Sequence, residues 1–209
     1  MSARLPPVRQ FAWTSRVLHW LMAAMVIPML FIGVGMVASL ADYHVLVSIH
    51  RPLGIAILVL VVIRFINRQL TTLPPFPPTM SPAERVAASW SERLLYALMF
   101  ALPLVGWAML SAARYPVVLY GPIHLPPILP VDPSLYSVLR ETHTVLAYLL
   151  FFTFIAHLSA VLFHTLVMRD GLLNRMVPWN VRPAARPAPP PRPLAPDPVR
   201  SREQRPGAA

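Results

Sequence analysis

Four long apolar stretches dominate the pattern of hydrophobic and polar positions along the chain. Each is close to or above the roughly 20 residues that a helix needs to cross a hydrocarbon core of about 30 Å. They cover Val17–Ala38, Val45–Phe65, Leu94–Ala112 and Thr144–Met168. The pattern predicts an all-α integral membrane protein, a bundle of four helices that we number helix 1 to helix 4.

Proline marks several of the breaks in this pattern. The stretch Leu73–Pro78 contains four prolines and cannot continue a helix, whereas Ser81–Glu84 is typical of a helix start with proline in its first turn. Four prolines also interrupt Tyr115–Pro130, which we interpret as an outer-face loop and not as a fifth crossing. Pro28 and Pro103 fall inside helices 1 and 3 and predict kinks there.

The composition agrees with a membrane protein and excludes several kinds of site. The chain is 56% hydrophobic and 12% charged, outside the usual soluble range. Cysteine is absent, which excludes disulfides, thiolate metal sites and iron–sulfur clusters within this chain. All 18 basic residues are arginine, so lysine chemistry is excluded as well. The net charge of +10 comes from arginines at segment ends and in the tail, which favours membrane lipid and no nucleic acid as partner.

The arginines also predict the orientation of the bundle. They are most frequent before helix 1, between helices 2 and 3 and after helix 4. Because cytoplasmic connections retain positive charge, both termini are predicted to be cytoplasmic. After Pro178 the chain turns rich in proline, arginine and alanine. We therefore expect a membrane domain over residues 1–178 and a disordered cytoplasmic tail over residues 179–209.

Four histidines lie within or beside the apolar segments: His19, His50, His143 and His157. A histidine in a membrane costs free energy and usually has a function. His143 and His157 are 14 residues apart, nearly a whole number of helical turns, so they share a face about 21 Å apart in height. With the predicted orientation, His19 and His157 lie near the inner side and His50 and His143 near the outer side. The four histidines thus form two pairs by depth.

Two imidazoles from neighbouring helices at one depth can supply both axial ligands of a haem iron. Two such haems would form an electron path across the membrane. Three of the histidines have a small residue four positions later, on the same helical face: Ala23, Gly54 and Ala147. These small residues would leave space for a flat macrocycle. Arginines that could bind haem propionates accompany the same histidines: Arg16, Arg51 and Arg140.

Other interpretations of these residues stay open at this point. A membrane histidine can also form a hydrogen bond between helices. The excess of positive charge in cytoplasmic segments alone explains Arg16. A haem-free transporter or scaffold could use the imidazoles for zinc or copper. Intramembrane carboxylates to balance such a metal are missing, since the nearest ones lie at predicted segment ends: Asp42, Glu92, Asp132 and Glu141.

Three further histidines lie outside the two pairs. His164 follows His157 by seven residues, nearly on the same face and about 10 Å further toward the cytoplasm. It is a candidate for an alternative haem ligand or for part of a quinone or proton site, and solvation at the membrane interface is the other interpretation. His44 and His124 are predicted in outer loops, with ordinary solvation.

Over roughly residues 10–178, the chain resembles the prokaryotic di-haem cytochrome b561 family. The resemblance rests on short motifs in a specific order and spacing: Leu18-His19-Trp20, Ile49-His50 with Leu53-Gly54-Ile55 and the stretch to Arg64, Ala101-Leu102-Pro103, His143 with His157, and Arg169-Asp170-Gly171 leading to Arg175-Met176-Val177-Pro178.

The resemblance implies a multi-pass cytochrome of the bacterial inner membrane with two haem b groups, the four paired histidines being the axial ligands. It implies electron exchange with ubiquinone, and Arg64, Arg68 and His164 are candidates near an inner quinone site. Some members oxidise superoxide at the outer face and pass the electrons to ubiquinone, whereas others serve unidentified electron donors. An alternative role is that of a haem-bearing anchor subunit of a larger dehydrogenase or hydrogenase.

Overall fold

The computed structural model describes residues 10–179. Four long helices make up most of this part: α1 (Trp13–Ala38), α2 (Tyr43–Leu70), α3 (Pro82–Ala112) and α4 (Pro133–Phe163). All four are long and apolar enough to cross a membrane. The predicted all-α membrane bundle is therefore confirmed, whereas the predicted disordered tail lies, apart from residue 179, outside the described residues.

Polar caps extend two of the helices well beyond their apolar segments. At the start of α3, Ser81 and Glu84 form a capping box, in which each side chain accepts a hydrogen bond from the other residue's backbone N–H. At the start of α4, the Asp132 carboxylate accepts from the N–H groups of Ser134 and Leu135 at 2.8 and 3.0 Å. The helix start predicted at Ser81–Glu84 is thus confirmed.

The helices extend beyond the apolar segments and include two of the four carboxylates expected at segment ends. Asp42 and Asp132 do lie at helix N-termini. Glu92 and Glu141, however, lie inside α3 and α4, because these helices begin at Pro82 and Pro133, well before their apolar segments. Hydropathy marks only the part of a helix that crosses the hydrocarbon core.

Prolines lie where the sequence indicated. Pro28 and Pro103 are inside α1 and α3 and do not end these helices, and Pro52 lies inside α2 as well. The proline-rich stretch Leu73–Pro78 is neither helix nor strand. Beyond α4 the chain continues into a π-helical turn over His164–Met168.

The connection between α3 and α4 contains a short antiparallel hairpin of β1 (Val117–Tyr120) and β2 (Ile123–Leu125). The interpretation of Tyr115–Pro130 as a plain loop was wrong in this respect, although the stretch is not a fifth crossing. Gly121 adopts a positive φ of 52° in the turn, a conformation that glycine takes without strain.

Two hydrogen bonds that involve side chains attach the segment after this hairpin to α3. The Trp107 indole donates to the Pro126 carbonyl at 3.0 Å, and the Ile128 N–H donates to the Ser111 hydroxyl at 3.2 Å. His124 lies in β2, and His44 lies in the first turn of α2, so neither is in an irregular loop as expected. Both are exposed, as predicted.

Packing between the helices is uneven. α2 packs against α1 and α3, and α3 packs against α4, but the backbones of α1 and α2 hardly approach α4. A core at the middle of the bundle consists of Met22, Val26, Ile57, Leu60, Val61, Leu98, Met99, Leu102 and Leu150. Leu150 is the residue of α4 midway between His143 and His157, so this core separates the levels of the two histidines.

The two ends of the bundle differ, and we name them by their contents. The terminal end holds the start of α1, the connection from α2 to α3 and residues 164–179, and there the Phe11 N–H donates to the Arg175 carbonyl. The hairpin end holds the connection from α1 to α2 and residues 113–132, and there the Asp132 N–H donates to the Ala112 carbonyl. Both ends of the described chain therefore lie on one side.

Candidate functional site

At the hairpin end, His50 of α2 and His143 of α4 face each other with ring centroids 6.2 Å apart. Both side chains are partly buried, and the buried Nδ1 of each has no hydrogen-bond partner. Two imidazoles that bind one metal ion from opposite sides need a centroid separation of about 6.4 Å, since metal–imidazole bonds measure about 2.0 Å and the nitrogen lies about 1.2 Å from the centroid. The observed separation of 6.2 Å is close to this value.

The backbone of α3 forms one wall beside this pair. A Cβ placed on Gly106 would lie 3.3 Å from Cε1 and 3.5 Å from Nδ1 of His143. A larger residue at position 106 would therefore push against the ring. By contrast, a Cβ on Gly54 would meet only Met29 of α1, at an ordinary 3.7 Å. Gly54 thus borders α1, and Gly106 is the small residue that touches a histidine.

At the terminal end, His19 of α1 and His157 of α4 are close enough to interact electrostatically, and Arg64 of α2 acts on both. The Arg64 guanidinium lies 3.1 Å from Nδ1 of His19 and donates through Nε to the Tyr96 hydroxyl at 3.0 Å. Its buried NH1 has no hydrogen-bond partner. A cation thus accompanies this pair and links α1, α2 and α3.

The arginines expected beside the histidines have different surroundings. Arg51, next to His50, has a buried Nε without a hydrogen-bond partner and is suited to bind an anionic group. Arg140 is exposed. Arg16 is 5% exposed and donates to the carbonyls of Val177 and Trp179, both at 3.0 Å. Arg16 therefore holds the segment after α4 against the start of α1.

A small pocket of about 20 Å³, with room for about one water molecule, lies at the terminal end. Arg68 and Glu92 form a bidentate ion pair across it, at 2.8 and 2.9 Å. The pocket brings together two of the three residues expected near a quinone site, Arg64 and Arg68. Its lining consists of Phe11, Ser15, Arg64, Asn67, Arg68, Leu73, Glu92, Tyr96 and Met176.

His164, the third candidate, does not line this pocket. It is only 5% exposed, so solvation at the interface does not describe it, and its Nδ1 lies 2.6 Å from the Asp170 carboxylate. Burial alone would raise the pKa of the Asp170 carboxyl, but hydrogen bonds with His164, the Leu172 N–H and Thr79 outweigh burial and lower that pKa. His164 and Asp170 thus form a buried polar contact at the end of α4.

Comparison with known proteins places this arrangement in a family. The family model described as "Prokaryotic cytochrome b561" matches residues 10–179. The chain belongs to the prokaryotic cytochrome b561 family. It is 30% identical to cytochrome b561 homolog 2 of Escherichia coli (strain K12) over 166 residues, 78% of this chain and 88% of that protein. It is 33% identical to the probable superoxide oxidase CybB of Yersinia pestis over 130 residues, 62% of this chain and 73% of that protein.

Membership of the cytochrome b561 family makes the chain a multi-pass bacterial membrane protein of the b-type cytochromes, which act in electron transfer and bind haem b. Its residues fit that cofactor. The separation of the hairpin-end imidazoles is close to what two ligands on opposite sides of one metal ion need, and the backbones of α1 and α2 hardly approach α4. A haem-free transporter or scaffold is therefore not supported.

Three residues of these sites escaped prediction from the sequence. Tyr96 and Glu92 lie in α3, on the face toward Arg64 and Arg68, but a helix predicted to begin at Leu94 assigns Glu92 to a segment end. Gly106 could not be singled out from the sequence, because the apolar segments contain several small residues. A count of helical turns from the capping box at Ser81 could have placed Glu92 and Tyr96 on one face, four residues apart.

Proposed function

We propose that the chain holds two haem b groups, one at each end of the bundle. His50 and His143 are the axial ligands at the hairpin end, and His19 and His157 are those at the terminal end. The separation of 6.2 Å between the rings of His50 and His143 carries this proposal most directly. In both pairs α4 supplies one ligand, so that His143 and His157 fix the two haems at two heights on one helix.

Arginines near each pair would bind the haem propionates. Arg51 serves the hairpin end, where its buried Nε has no protein partner, and Arg140 lies beside the same level. At the terminal end Arg64, with its unpartnered buried NH1, is better placed than Arg16, which already binds backbone carbonyls. Guanidinium groups suit carboxylates because they present parallel N–H donors. The haems, when bound, supply the iron that accepts and releases single electrons.

Electrons pass from a donor at the hairpin end to ubiquinone at the terminal end. The quinone headgroup binds at the mouth of the terminal-end pocket, where Arg64 and Arg68 attract electron density toward its carbonyl oxygens. Superoxide is the candidate donor, because the Yersinia pestis relative is named a probable superoxide oxidase. The hairpin end meets this donor with Arg51 close to His50, a cation that favours the approach of an anion.

Absorption spectroscopy of the haems tests this reaction. Superoxide added to oxidised protein should produce the reduced haem spectrum, and a ubiquinone analogue added afterwards without oxygen should restore the oxidised one. Reduction that ubiquinone does not reverse would contradict the quinone site. If superoxide does not reduce the haems but ubiquinol reduces them rapidly, electrons flow in the direction opposite to the proposed one. If neither compound reduces the haems, the result favours an anchor subunit of a larger enzyme.

The terminal end lies in the cytoplasm in this proposal, because most arginines of the chain flank it. The chain has no cysteine, so single cysteines can report the orientation. A membrane-impermeant thiol reagent applied to intact cells should label Ser134→Cys at the hairpin end and not Thr72→Cys at the terminal end. Both positions are exposed. The opposite labelling pattern would overturn the orientation.

A further inference from the structure

The pocket at the terminal end contains one carboxyl group, that of Glu92, among its nine lining residues. Conversion of a quinone to a quinol consumes two protons along with two electrons, and the haems supply electrons alone. We propose that Glu92 delivers these protons from water to the quinone. This role rests on the quinone reaction proposed above, in which Glu92 is the proton donor.

Glu92 borders both the pocket and the surrounding water. Its side chain is 40% exposed, and that of its partner Arg68 is 29% exposed. Tyr96, one turn further along α3, is partly buried and accepts a hydrogen bond from Arg64. The Glu92 carboxylate can therefore exchange protons with water from the edge of the pocket.

The ion pair with Arg68 holds the carboxylate in place. Arg68 donates to both oxygens through Nε and NH2, which fixes the plane of the carboxylate. The other polar or charged groups around it come from all four helices, and the lining residues of the two terminal segments are uncharged. These surrounding groups are Ser15 of α1, Arg64 and Asn67 of α2, Tyr96 of α3 and His157 of α4.

The other polar groups of the pocket are unsuited to this task. Arginine does not release its proton in proteins, and Ser15 and Asn67 do not titrate. A phenol, such as the side chain of Tyr96, is a far weaker acid than a carboxyl group. His164 lies outside the pocket and is bonded to Asp170. Glu92 is the lining residue that carries a carboxyl group.

Each proton transfer is balanced by one electron from the haem side. As the electron reaches the quinone, the O–H bond of protonated Glu92 breaks and an O–H bond forms at a carbonyl oxygen of the quinone. The carboxylate then takes a proton from water. A second electron and a second proton, delivered by the same route, complete the quinol.

The test measures oxidation of chemically reduced protein by a short-chain ubiquinone, without oxygen, from pH 6 to pH 9. Glu92→Gln should slow this oxidation at least about tenfold and make its rate independent of pH, because a positioned proton donor contributes about 10²- to 10⁴-fold. Glu92→Asp should retain the pH dependence. Oxidation by ferricyanide, which takes up no proton, should be equal in all three proteins.

A second variant separates the carboxyl group from its ion pair. Arg68→Gln removes the pair and keeps the carboxyl, so it should raise the ubiquinone concentration that gives half the maximal rate and preserve the pH dependence. If Glu92→Gln keeps the wild-type rate and pH profile, or if Arg68→Gln loses the pH dependence in the same way, the role of Glu92 is overturned. If the wild-type protein reacts with ferricyanide but not with ubiquinone, the quinone reaction itself fails and this role with it.

Discussion

The two ends of the bundle hold similar histidine pairs in different surroundings. At the hairpin end, His50 and His143 have unpartnered Nδ1 atoms, and Gly106 lies against one ring. At the terminal end, Arg64 bonds to His19 and leads to a pocket that contains the Arg68–Glu92 pair. In the proposed function each end holds a haem, the hairpin end accepts the electron, and the terminal end passes it to a ligand that also needs protons.

The reactions proposed for the two ends differ in their need for protons. A single-electron donor such as superoxide would need no proton from the protein at the hairpin end, whereas a quinone at the terminal end would consume protons. The charged groups at the terminal end are bonded across α1, α2 and α3, because isolated charges near a membrane are costly. The functions of the two ends are therefore separable by substitution.

The largest expected effect is at Gly106. Gly106→Leu places a side chain where a Cβ alone is already 3.3 Å from the His143 ring. We expect loss of the hairpin-end haem, which halves the haem content per chain, and a destabilisation of about 1–3 kcal/mol from overpacking. Haem content and thermal unfolding measure the two effects.

Gly33 of α1 provides the matched control, because a Cβ placed there meets no atom within 4 Å. Gly33→Leu should retain both haems. Equal haem loss in the two variants would show that Gly106 has no special relation to His143, and loss of both haems in Gly106→Leu would show that the ends do not bind haem independently.

A substitution of Arg64 should change the midpoint potential of the haem at the terminal end. Arg64→Gln removes a cation beside His19, and a nearby cation favours the less positively charged, reduced iron. The midpoint potential of one haem should therefore fall, by roughly tens of millivolts. A redox titration followed by absorption measures it. Arg93→Gln, which removes an exposed arginine of α3, should leave both potentials in place, and a fall of both potentials in Arg64→Gln would contradict the separation of the ends.

Arg16 should affect stability at the terminal end more than redox chemistry. Arg16→Ala removes hydrogen bonds from a guanidinium to the carbonyls of Val177 and Trp179, a type of bond worth about 1.5–3 kcal/mol. The segment after α4 should then detach more often, so trypsin should cut faster after the buried Arg175. Unchanged cleavage, or a changed spectrum of the hairpin-end haem, would count against this assignment.

The smallest expected effect is the dependence of stability on pH at Asp170. The pKa of Asp170 is lowered in the fold, so its contribution to stability is present above the ordinary aspartate pKa of about 3.9 and is lost as the pH falls through the lowered value. Asp170→Asn should therefore lower the unfolding temperature at pH 7, and the difference from the wild type should shrink toward pH 3. A difference that stays constant with pH would contradict the pairing.

Local sequence patterns were sufficient for the helices and for the histidine levels. Apolar length revealed four crossings, and the spacing of 14 residues between His143 and His157 placed them on one face at two heights. The capping pattern at Ser81 also indicated where α3 begins. These features depend on neighbours along the chain, which the sequence displays directly.

The contacts around the histidines depend on residues far apart in the chain. Arg16 binds a carbonyl 161 positions away, and Arg64 reaches His19 across 45 positions. Arginine beside a membrane segment looks the same in the sequence whether it anchors a chain end, binds a propionate or marks topology. The hairpin Val117–Tyr120 with Ile123–Leu125 was missed because its prolines suggest a loop, although a short hairpin fits between them.

The haem-to-chain ratio of single histidine variants tests the central claim most directly. We expect two haems per chain in the wild type and one in His50→Ala, His143→Ala, His19→Ala and His157→Ala. The first two variants should share one remaining spectrum and potential, and the last two should share the other. A wild-type ratio of one, or residual spectra that group by helix and not by these pairs, would contradict two haems held at two levels of α4.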